Sequence, residues 1–431
     1  MKLDFTKKEG FLFLSDDTND LDEETLFLLT EQNKHYCQKL ERKPTFITPW
    51  ELKSLWDLSA MKVVGVTGTN GKTTVTAAIY SFLLDLDEKP ALQGTRGLFA
   101  KEERIEAKSM TTPSILETLH NMKQTYDLGC EYFIMEVSSH AIDQKRIEGL
   151  EFALKVHTNV SSDHLDYHGT VEEYRRVKSL FFADETPKLL NKDDIKNITY
   201  NPIGAHSYGV DEPATFKVQA FSLLHGITAG IKYLKDEATF HSPMVGLFNL
   251  FNLMAAIGSV QMLTGRTLDD ICEVVENFAG VSGRMEVVSK DPLVIVDFAH
   301  TDDGMHAVLD SMKDREISVV FGAGGNRDKG KRPRMGATAG RYANKIYVTS
   351  DNPRDEVPEQ ILEDILVGLL GKDNVTACPD RKLAIKMALD AQEEGEVLLI
   401  LGKGDEDYQE IAGVKYPFDD REVVRELLAG K

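Results

Sequence analysis

Cysteine is scarce in this chain: four in 431 residues (Cys37, Cys130, Cys272 and Cys378), far apart and in no CxxC pair. That excludes a disulfide framework, a zinc ribbon and a dithiol redox motif, and it fits a reducing compartment. Positive charge is also short. Lys and Arg number 50 against 70 Asp and Glu, a formal charge of −20. This argues against a general coat for nucleic acid or anionic membrane, although a local pocket can oppose the global sign. No stretch approaches the ~18 consecutive apolar residues of a membrane span. The opening MKLDFTKKEGFLFLSDD has only a brief apolar patch followed by acids, and it does not read as a secretory signal. Internal repeats and low-complexity tracts are missing as well.

What is present is ordinary globular material, 42% hydrophobic and 28% charged. It suffices for two to four domains at ~100–200 residues each. Short Val- and Ile-rich runs alternate with longer amphipathic stretches. The runs are Lys62–Val66, Phe133–Val137, Leu293–Phe298, Ile317–Phe321, Lys345–Thr349 and Val397–Leu401, and most give way to Gly or Ser. Such runs are buried parallel strands joined by helices, so the fold class is α/β. Breaks near residues 55–61 and at GVSGRMEVV, after an amphipathic helix over Asp269–Phe278, divide the chain into 1–60, 61–285 and 286–431.

The sharpest local signal is MKVVGVTGTNGKTT, Met61–Thr74. A strand enters, a loop with Gly65, Gly68 and Gly71 follows, and Lys72-Thr73-Thr74 open a helix. Glycines let backbone N–H groups turn around phosphate oxygens, and the helix N-terminus adds the positive end of its dipole. Lys72 can reach β- and γ-phosphates and the Thr73 hydroxyl can bind Mg²⁺. Five residues stand between Gly65 and Gly71, where the standard phosphate loop has four before its Gly-Lys pair.

Further along, FIMEVSSH delivers Glu136 at a strand end, a usual address for a site in an open α/β sheet. TNVSSDHLDYHG places Asp163, His164, Asp166 and His168 after another apolar run. Oxygen ligands suit Mg²⁺ beside ATP, with one imidazole tolerable; a zinc site on His164, Asp166 and His168 is the alternative. Lys178, in EEYRRVKSLFF, reads on pattern alone as a solvated helix lysine. Thr111-Thr112-Pro113 reads as the cap of a helix starting at Pro113, Asn252 as a helix cap or turn, and DNPR (351–354) as a turn before a helix.

GTNGKTT, MEVSSH, TNVSSDHLDYHG, YRRVKSLFF, GLFNLFN, GRME, VDFAHT, GGNRDKGKRPRMG, DNPR and GKGDEDYQ follow one another in this order. As a set they resemble the Mur ligase family, from about Val63 to the C-terminus. The resemblance implies a small N-terminal α/β uridine-binding domain, a central P-loop ATPase-like parallel-sheet domain and a C-terminal Rossmann-like domain that takes the amino acid. It implies a cytoplasmic monomer of peptidoglycan precursor synthesis, hence of cell-wall biogenesis, cell shape and division, with small-molecule substrates, no nucleic acid and no membrane insertion. The implied reaction is ATP-dependent ligation of meso-diaminopimelate to UDP-N-acetylmuramoyl-L-alanyl-D-glutamate through an acyl phosphate.

By the same resemblance, Gly68, Thr69, Asn70, Gly71, Lys72, Thr73 and Thr74 hold the ATP phosphates. Asn249, Asn252, Arg284, Asp297 and His300 match positions around adenine, ribose and phosphates. Lys72, Glu136, His164 and Lys178 carry catalysis. Thr73, Glu136, His164 and Lys178, the last as a carbamate, surround Mg²⁺. Thr111, Thr112, Ser138, Gln144 and Arg146 meet the UDP-muramoyl-peptide. Arg327, Asp351, Asn352, Arg354, Gly402 and Glu406 meet diaminopimelate, whose distal carboxylate suits an arginine fork and whose distal ammonium suits a carboxylate. Two departures stand out. SDDT and LFLL (15–18 and 26–29) resemble uridine-domain elements without the glycine-rich stretch that follows them in the family, and Asp405 stands where the family has His. A folylpolyglutamate synthase would share GTNGKT without DNPR or GKGDEDYQ; a nucleotide switch would lack the separate amino-acid pocket.

Overall fold

The computed structural model describes residues 1–5, 7–37, 39–40, 43–106, 110–224 and 226–430; the side chain of Asp166 lies outside what it describes. The chain forms two compact units. The first takes Met1–Ser222, Thr228–Ser242 and Leu250–Phe278, and the second takes Leu223–Ile227, Pro243–Asn249 and Ala279–Lys431.

In the first unit, residues 1–60 carry a four-stranded sheet of Lys2–Asp4, Phe13–Ser15, Thr25–Leu28 and Phe46–Ile47, in that order. The helix Pro49–Leu55 follows, started by a Thr48/Glu51 capping box with proline at its first turn. Leu14, Leu26, Leu28 and Ile47 share one buried cluster with Val63, Phe133 and Met135. The N-terminal sheet therefore has no core of its own; its apolar face is buried on the next sheet.

That next sheet has eleven strands. Its middle is parallel: Ala205–Gly209, Lys188–Asn191, Phe152–His157, Lys62–Thr67, Tyr132–Glu136 and Pro90–Gly94 lie side by side. Lys62–Thr67 sits centrally and is buried from Val63 onward, as a Val-rich run covered on both faces requires. The expected all-parallel sheet is corrected at both edges. Gly97–Ala100 and Glu103–Glu106 add antiparallel strands on one side. On the other side Ile227–Tyr233 pairs antiparallel with Phe216–Ser222. Ile227–Tyr233 and its neighbour Asp236–Ser242 alternate buried and exposed residues, unlike a solid apolar run, which marks half-solvated strands.

The helix Leu247–Thr264 has the 18 residues of a membrane span, but Asn249, Asn252, Ser259 and Gln261 interrupt its apolar run. Leu250, Leu253, Met254, Ala255, Ala256, Ile257 and Val260 are all completely buried. A side chain added at Gly258 would meet Leu189 and Phe216 of the large sheet, so this is a core helix pressed on strands.

The second unit is built on six strands in the order Glu286–Lys290, Leu293–Asp297, Val397–Leu401, Ile317–Phe321, Lys345–Val348 and Val375–Ala377. All but the first are parallel. The carboxyl ends of the parallel strands therefore share one edge of the sheet. A hairpin, Tyr408–Ile411 with Val414–Pro417, stands beside it.

Candidate functional site

The phosphate loop comes first. Gly65 does not belong to it: Gly65 lies inside the strand Lys62–Thr67, where a Cβ would press on the rings of Phe152 and Phe181. The loop is Gly68–Gly71, which accounts for the unusual glycine spacing. Gly71 caps the helix Lys72–Asp85 at φ +86°, and a Cβ there would fall on the Asn252 amide oxygen. The loop is braced from the end of the neighbouring strand. Thr69 N donates to Asn159 O (2.7 Å), Asn70 N to Asn159 Oδ1 (3.0 Å), and Thr158 Oγ1 to Asn70 O (2.6 Å). Lys72 folds back over it, Nζ donating to the carbonyls of Gly68 (2.8 Å) and Thr69 (2.9 Å).

Thr73 and Glu136 meet at the helix start. Thr73 Oγ1 donates to Glu136 Oε2 at 3.0 Å, and Thr95 N donates to Glu136 Oε1 at 2.9 Å. Glu136 is buried at the end of its strand. The tripeptide after Met110 adjoins it directly. Thr112 Oγ1 donates to Glu136 O (2.9 Å) and accepts from Ser138 N (3.0 Å), and Thr111 Oγ1 lies 3.1 Å from Thr95 Oγ1. The cap of the following helix, Ile115–Asp127, is Ser114 rather than Thr111 or Thr112, whose hydroxyls are engaged elsewhere. Arg146 closes the group: Nη1 donates to Thr112 O (3.1 Å), and Nε donates to Gln144 Oε1 (3.0 Å). Ser138 itself caps the short helix Ser139–Asp143.

Lys178 corrects the pattern reading. It is buried, with Nζ donating to Gly68 O at 2.9 Å and lying 4.9 Å over the Tyr174 ring. Tyr174, Val177 and Phe181 are the buried face of the helix Val171–Leu180 and the turn after it; Lys178 occupies the i+4 place on that same face. Burial first, and Lys72 second, push its amine well below the ordinary lysine range. His164 caps the helix Leu165–His168 in a left-handed conformation (φ +52°), its ring 4.9 Å from His140. Burial lowers its pKa, against the opposing field of Asp163. His168 points elsewhere, its Nε2 3.0 Å from Ser139 Oγ. Among the described residues no group of three ligating side chains assembles for a metal, and Asp166 lies outside them. Asn252 is no cap; it lies inside the helix Leu247–Thr264, buried beside Gly71.

The second unit gathers the remaining residues. Asp297 ends its strand, accepting from Met285 N (2.8 Å) and Ala299 N (2.7 Å), and burial raises its pKa against the pull of Arg284. Arg284 lies 4.3 Å over the Phe298 ring, and His300 Nδ1 is 3.0 Å from Phe298 O. Asn249 is buried with Nδ2 on Val245 O at 2.8 Å.

At the ends of the Lys345–Val348 and Val397–Leu401 strands, Asn352 Nδ2 donates to Glu406 Oε2 (2.8 Å). Asn352 Oδ1 accepts from the buried Lys403 (3.2 Å) and from Glu410 N (2.9 Å). DNPR leads through a turn at Pro353–Glu356 to the helix Pro358–Leu366. Arg354 N donates to Glu410 O and Arg354 O accepts from Ala412 N, so the segment docks on the hairpin with Arg354 at φ +52°. The Arg354 guanidinium donates from Nη1 to Gly325 O (2.8 Å), and its Nε is 3.3 Å from Glu410 Oε2. Arg327 is exposed on the adjacent loop. Asp351 Oδ2 is buried without a hydrogen-bond partner among the described residues and faces Gly402, where a Cβ would come within 2.6 Å. Sequence reading missed Tyr174, Thr95, Lys403 and Glu410. Lys403 was visible in GKG and Tyr174 in YRRVKSLFF; Thr95 and Glu410 carry no local signal.

Residues 66–260 match the Mur ligase middle domain and residues 283–404 the Mur ligase, glutamate ligase domain. The chain belongs to the Mur ligase family. This Mur ligase is 50% identical to the UDP-N-acetylmuramoyl-L-alanyl-D-glutamate--2,6-diaminopimelate ligase of Wolinella succinogenes, over 98% of each chain. It is 48% identical to the protein of that name from Helicobacter pylori, over 97% of this chain and 96% of the relative. A solved structure of a ligase of that name superposes with a TM-score of 0.69 at 30% identity, covering 97% of this Mur ligase and 94% of the other chain. A Mycobacterium tuberculosis folylpolyglutamate synthase shares the fold, with a TM-score of 0.66 at 16% identity, over 81% of this chain and 91% of that one.

Proposed function

We propose that this Mur ligase joins meso-diaminopimelate to UDP-N-acetylmuramoyl-L-alanyl-D-glutamate, converting ATP to ADP and phosphate. It acts as a cytoplasmic monomer in peptidoglycan precursor synthesis. Residues 1–60 serve the uridine nucleotide, 61–285 the ATP and 286–431 the incoming amino acid. One observation carries the amino-acid choice: a single edge of the sheet presents both an arginine fork and carboxylates. Arg354 spends Nη1 on Gly325 O and turns Nε to Glu410, so its Nη2 side keeps donors for a carboxylate. Glu406 and the unpartnered Asp351 Oδ2 suit an ammonium. Lysine has no distal carboxylate and would leave the fork unanswered.

A free carboxylate and an amine do not usefully condense in water, because the leaving group is too poor. In the proposed sequence, an oxygen of the D-glutamate carboxylate bonds to the γ-phosphorus while the bond to the ADP oxygen breaks. The amine of diaminopimelate, having given its ammonium proton to water, then attacks the acyl carbon. The C–N bond forms, the nitrogen loses a second proton to water, and phosphate departs with the C–O electrons. The protein's part is positioning and charge neutralisation. Lys72 and the N–H groups of Gly68–Thr74 answer the phosphates. Thr111, Thr112, Ser138, Gln144 and Arg146 hold the muramoyl-peptide with its carboxylate near Glu136 and Thr73. Asn249, Asn252, Arg284, Asp297 and His300 serve the rest of the nucleotide.

The donors fit magnesium: Thr73 and Glu136 offer oxygens already in contact with one another, beside a glycine loop that side chains would block. Thr73, Glu136, His164 and Lys178 would hold Mg²⁺, which when bound offsets phosphate charge. Lys178 fits the carbamate reading because a buried amine held below its usual range is the form that adds CO₂. The N–C bond forms, a proton leaves, and a cation becomes an anion.

The test is mass spectrometry of the product from ATP, the UDP-muramoyl-dipeptide and an equimolar pool of meso-diaminopimelate and lysine. The mass gain of diaminopimelate is expected, and a lysine gain would overturn the assignment. With ¹⁸O in the dipeptide's carboxylate, the label should appear in released phosphate; its absence would dismiss the acyl phosphate.

A further inference from the structure

Arg381 and Asp420 are both completely buried, yet neither is accounted for by the roles above. Arg381 opens the helix Arg381–Asp390 and Asp420 opens the helix Asp420–Ala429. Their side chains pair fork to fork, Nε to Oδ1 and Nη2 to Oδ2, each at 2.7 Å. The remaining donors reach backbone. Nη1 donates to Ser350 O (3.2 Å) and Nη2 to Leu401 O (3.0 Å). Ser350 immediately precedes Asp351, and Leu401 immediately precedes Gly402.

These two carbonyls belong to strand ends that are not neighbours. Ile317–Phe321 lies between Val397–Leu401 and Lys345–Val348 in the sheet. Strands two places apart are ~9–10 Å apart and share no ladder hydrogen bonds. Their ends can splay independently beyond the middle strand. One guanidinium spans that gap and is itself oriented by the Asp420 carboxylate. Across the same gap, Asp351 packs on Gly402 and Asn352 bonds to Glu406. Arg381 also lies in the field of Asp351 and Glu406. A pair kept only for stability would not need these carbonyl bonds, since an apolar pair of similar volume often serves as well.

We propose that Arg381 and Asp420 are the positioning pair of the amino-acid pocket, fixing the distance between the Asp351–Arg354 and Gly402–Glu406 segments and so setting affinity for the incoming amino acid. This rests on the reading of the second unit as the amino-acid site.

The test is steady-state kinetics of full-length protein carrying Arg381→Met with Asp420→Leu, a double change that leaves no stranded buried charge. The expected result is a rise of ten-fold or more in KM for meso-diaminopimelate, with KM for ATP and for the UDP-muramoyl-dipeptide within two-fold of wild type. Arg381→Lys, which keeps the charge but cannot span both carbonyls and the carboxylate, should fall between. Asp420→Asn keeps the volume and one acceptor; it carries the same test if the double variant does not fold, with a three-fold or larger rise expected. An unchanged KM for the amino acid, or three KM values rising together, would overturn the proposal. Wild-type turnover with meso-diaminopimelate reports separately on the proposed reaction. Were another amino acid added instead, that assignment would fall, and the same ratio taken for that amino acid would still decide the role of the pair.

Discussion

Arg354→Ala removes the fork proposed to bind the distal carboxylate, and the structure sets the size of the effect. One Nη1 bond goes to Gly325 O and Nε faces Glu410, leaving an Nη1 proton and the Nη2 pair for substrate. Two charge-assisted bonds at about 1.5–3 kcal/mol each amount to about 3–6 kcal/mol, or roughly 10²–10⁴ in kcat/KM. Arg354 also holds Glu410 and sits in a left-handed backbone that alanine tolerates poorly. A displaced segment is therefore a second source of loss. Running the assay with both meso-diaminopimelate and L-lysine separates the two. Loss of the fork lowers kcat/KM for diaminopimelate alone, whereas displacement lowers both. Phosphate release at saturating ATP and dipeptide is the readout. A loss under ten-fold for diaminopimelate, or an equal loss for lysine, would refute the reasoning.

Arg146→Ala should raise KM for the UDP-muramoyl-dipeptide by about ten-fold or more and leave KM for ATP and the amino acid unmoved, because the Arg146 guanidinium bonds to Thr112, Gln144 and Met110 in the proposed dipeptide group; initial rates with each substrate varied in turn decide it. Gly71→Ala combines a φ of +86° with a collision on Asn252, so ATP affinity measured by calorimetry should fall at least ten-fold while the N-terminal sheet keeps its spectrum. His157 is fully buried and held neutral, its pKa near 3 against an ordinary 6.5. The unfolded chain takes up a proton that the folded one refuses, so stability present above pH 6.5 is lost as pH falls towards 3, by about 3 kcal/mol at pH 4.5. Urea unfolding of wild type and His157→Gln at pH 7 and pH 4.5 should show the variant losing less on acidification, and parallel losses would contradict this.

Much of the architecture was legible. The six apolar runs named from sequence appear as strands within one residue at each end, because a β-branched run covered on both faces carries its own signal. The glycines and Lys72-Thr73 marked the phosphate loop. Other readings failed where a local rule met a distant partner. Gly65 was counted in the loop, but the rings of Phe152 and Phe181 require it in the strand. DNPR does lead through a turn at Pro353–Glu356 into the helix Pro358–Leu366, but nothing in the tetrapeptide signals that the hairpin from Tyr408 to Pro417 takes up the Arg354 backbone. Half-exposed edge strands such as Ile227–Tyr233 escaped because alternation is a weaker signal than a solid apolar run.

The sequence by itself determined the α/β class, the phosphate-binding turn and the order of motifs that marks a Mur ligase, since those rest on glycine positions, residue order and hydrophobic period within a few neighbouring residues. Only the tertiary structure decided that Lys178 lies buried against Gly68, 110 positions away, and that Arg381 joins two strand ends. Burial of a charge depends on what packs over it, and that is supplied by segments far away along the chain.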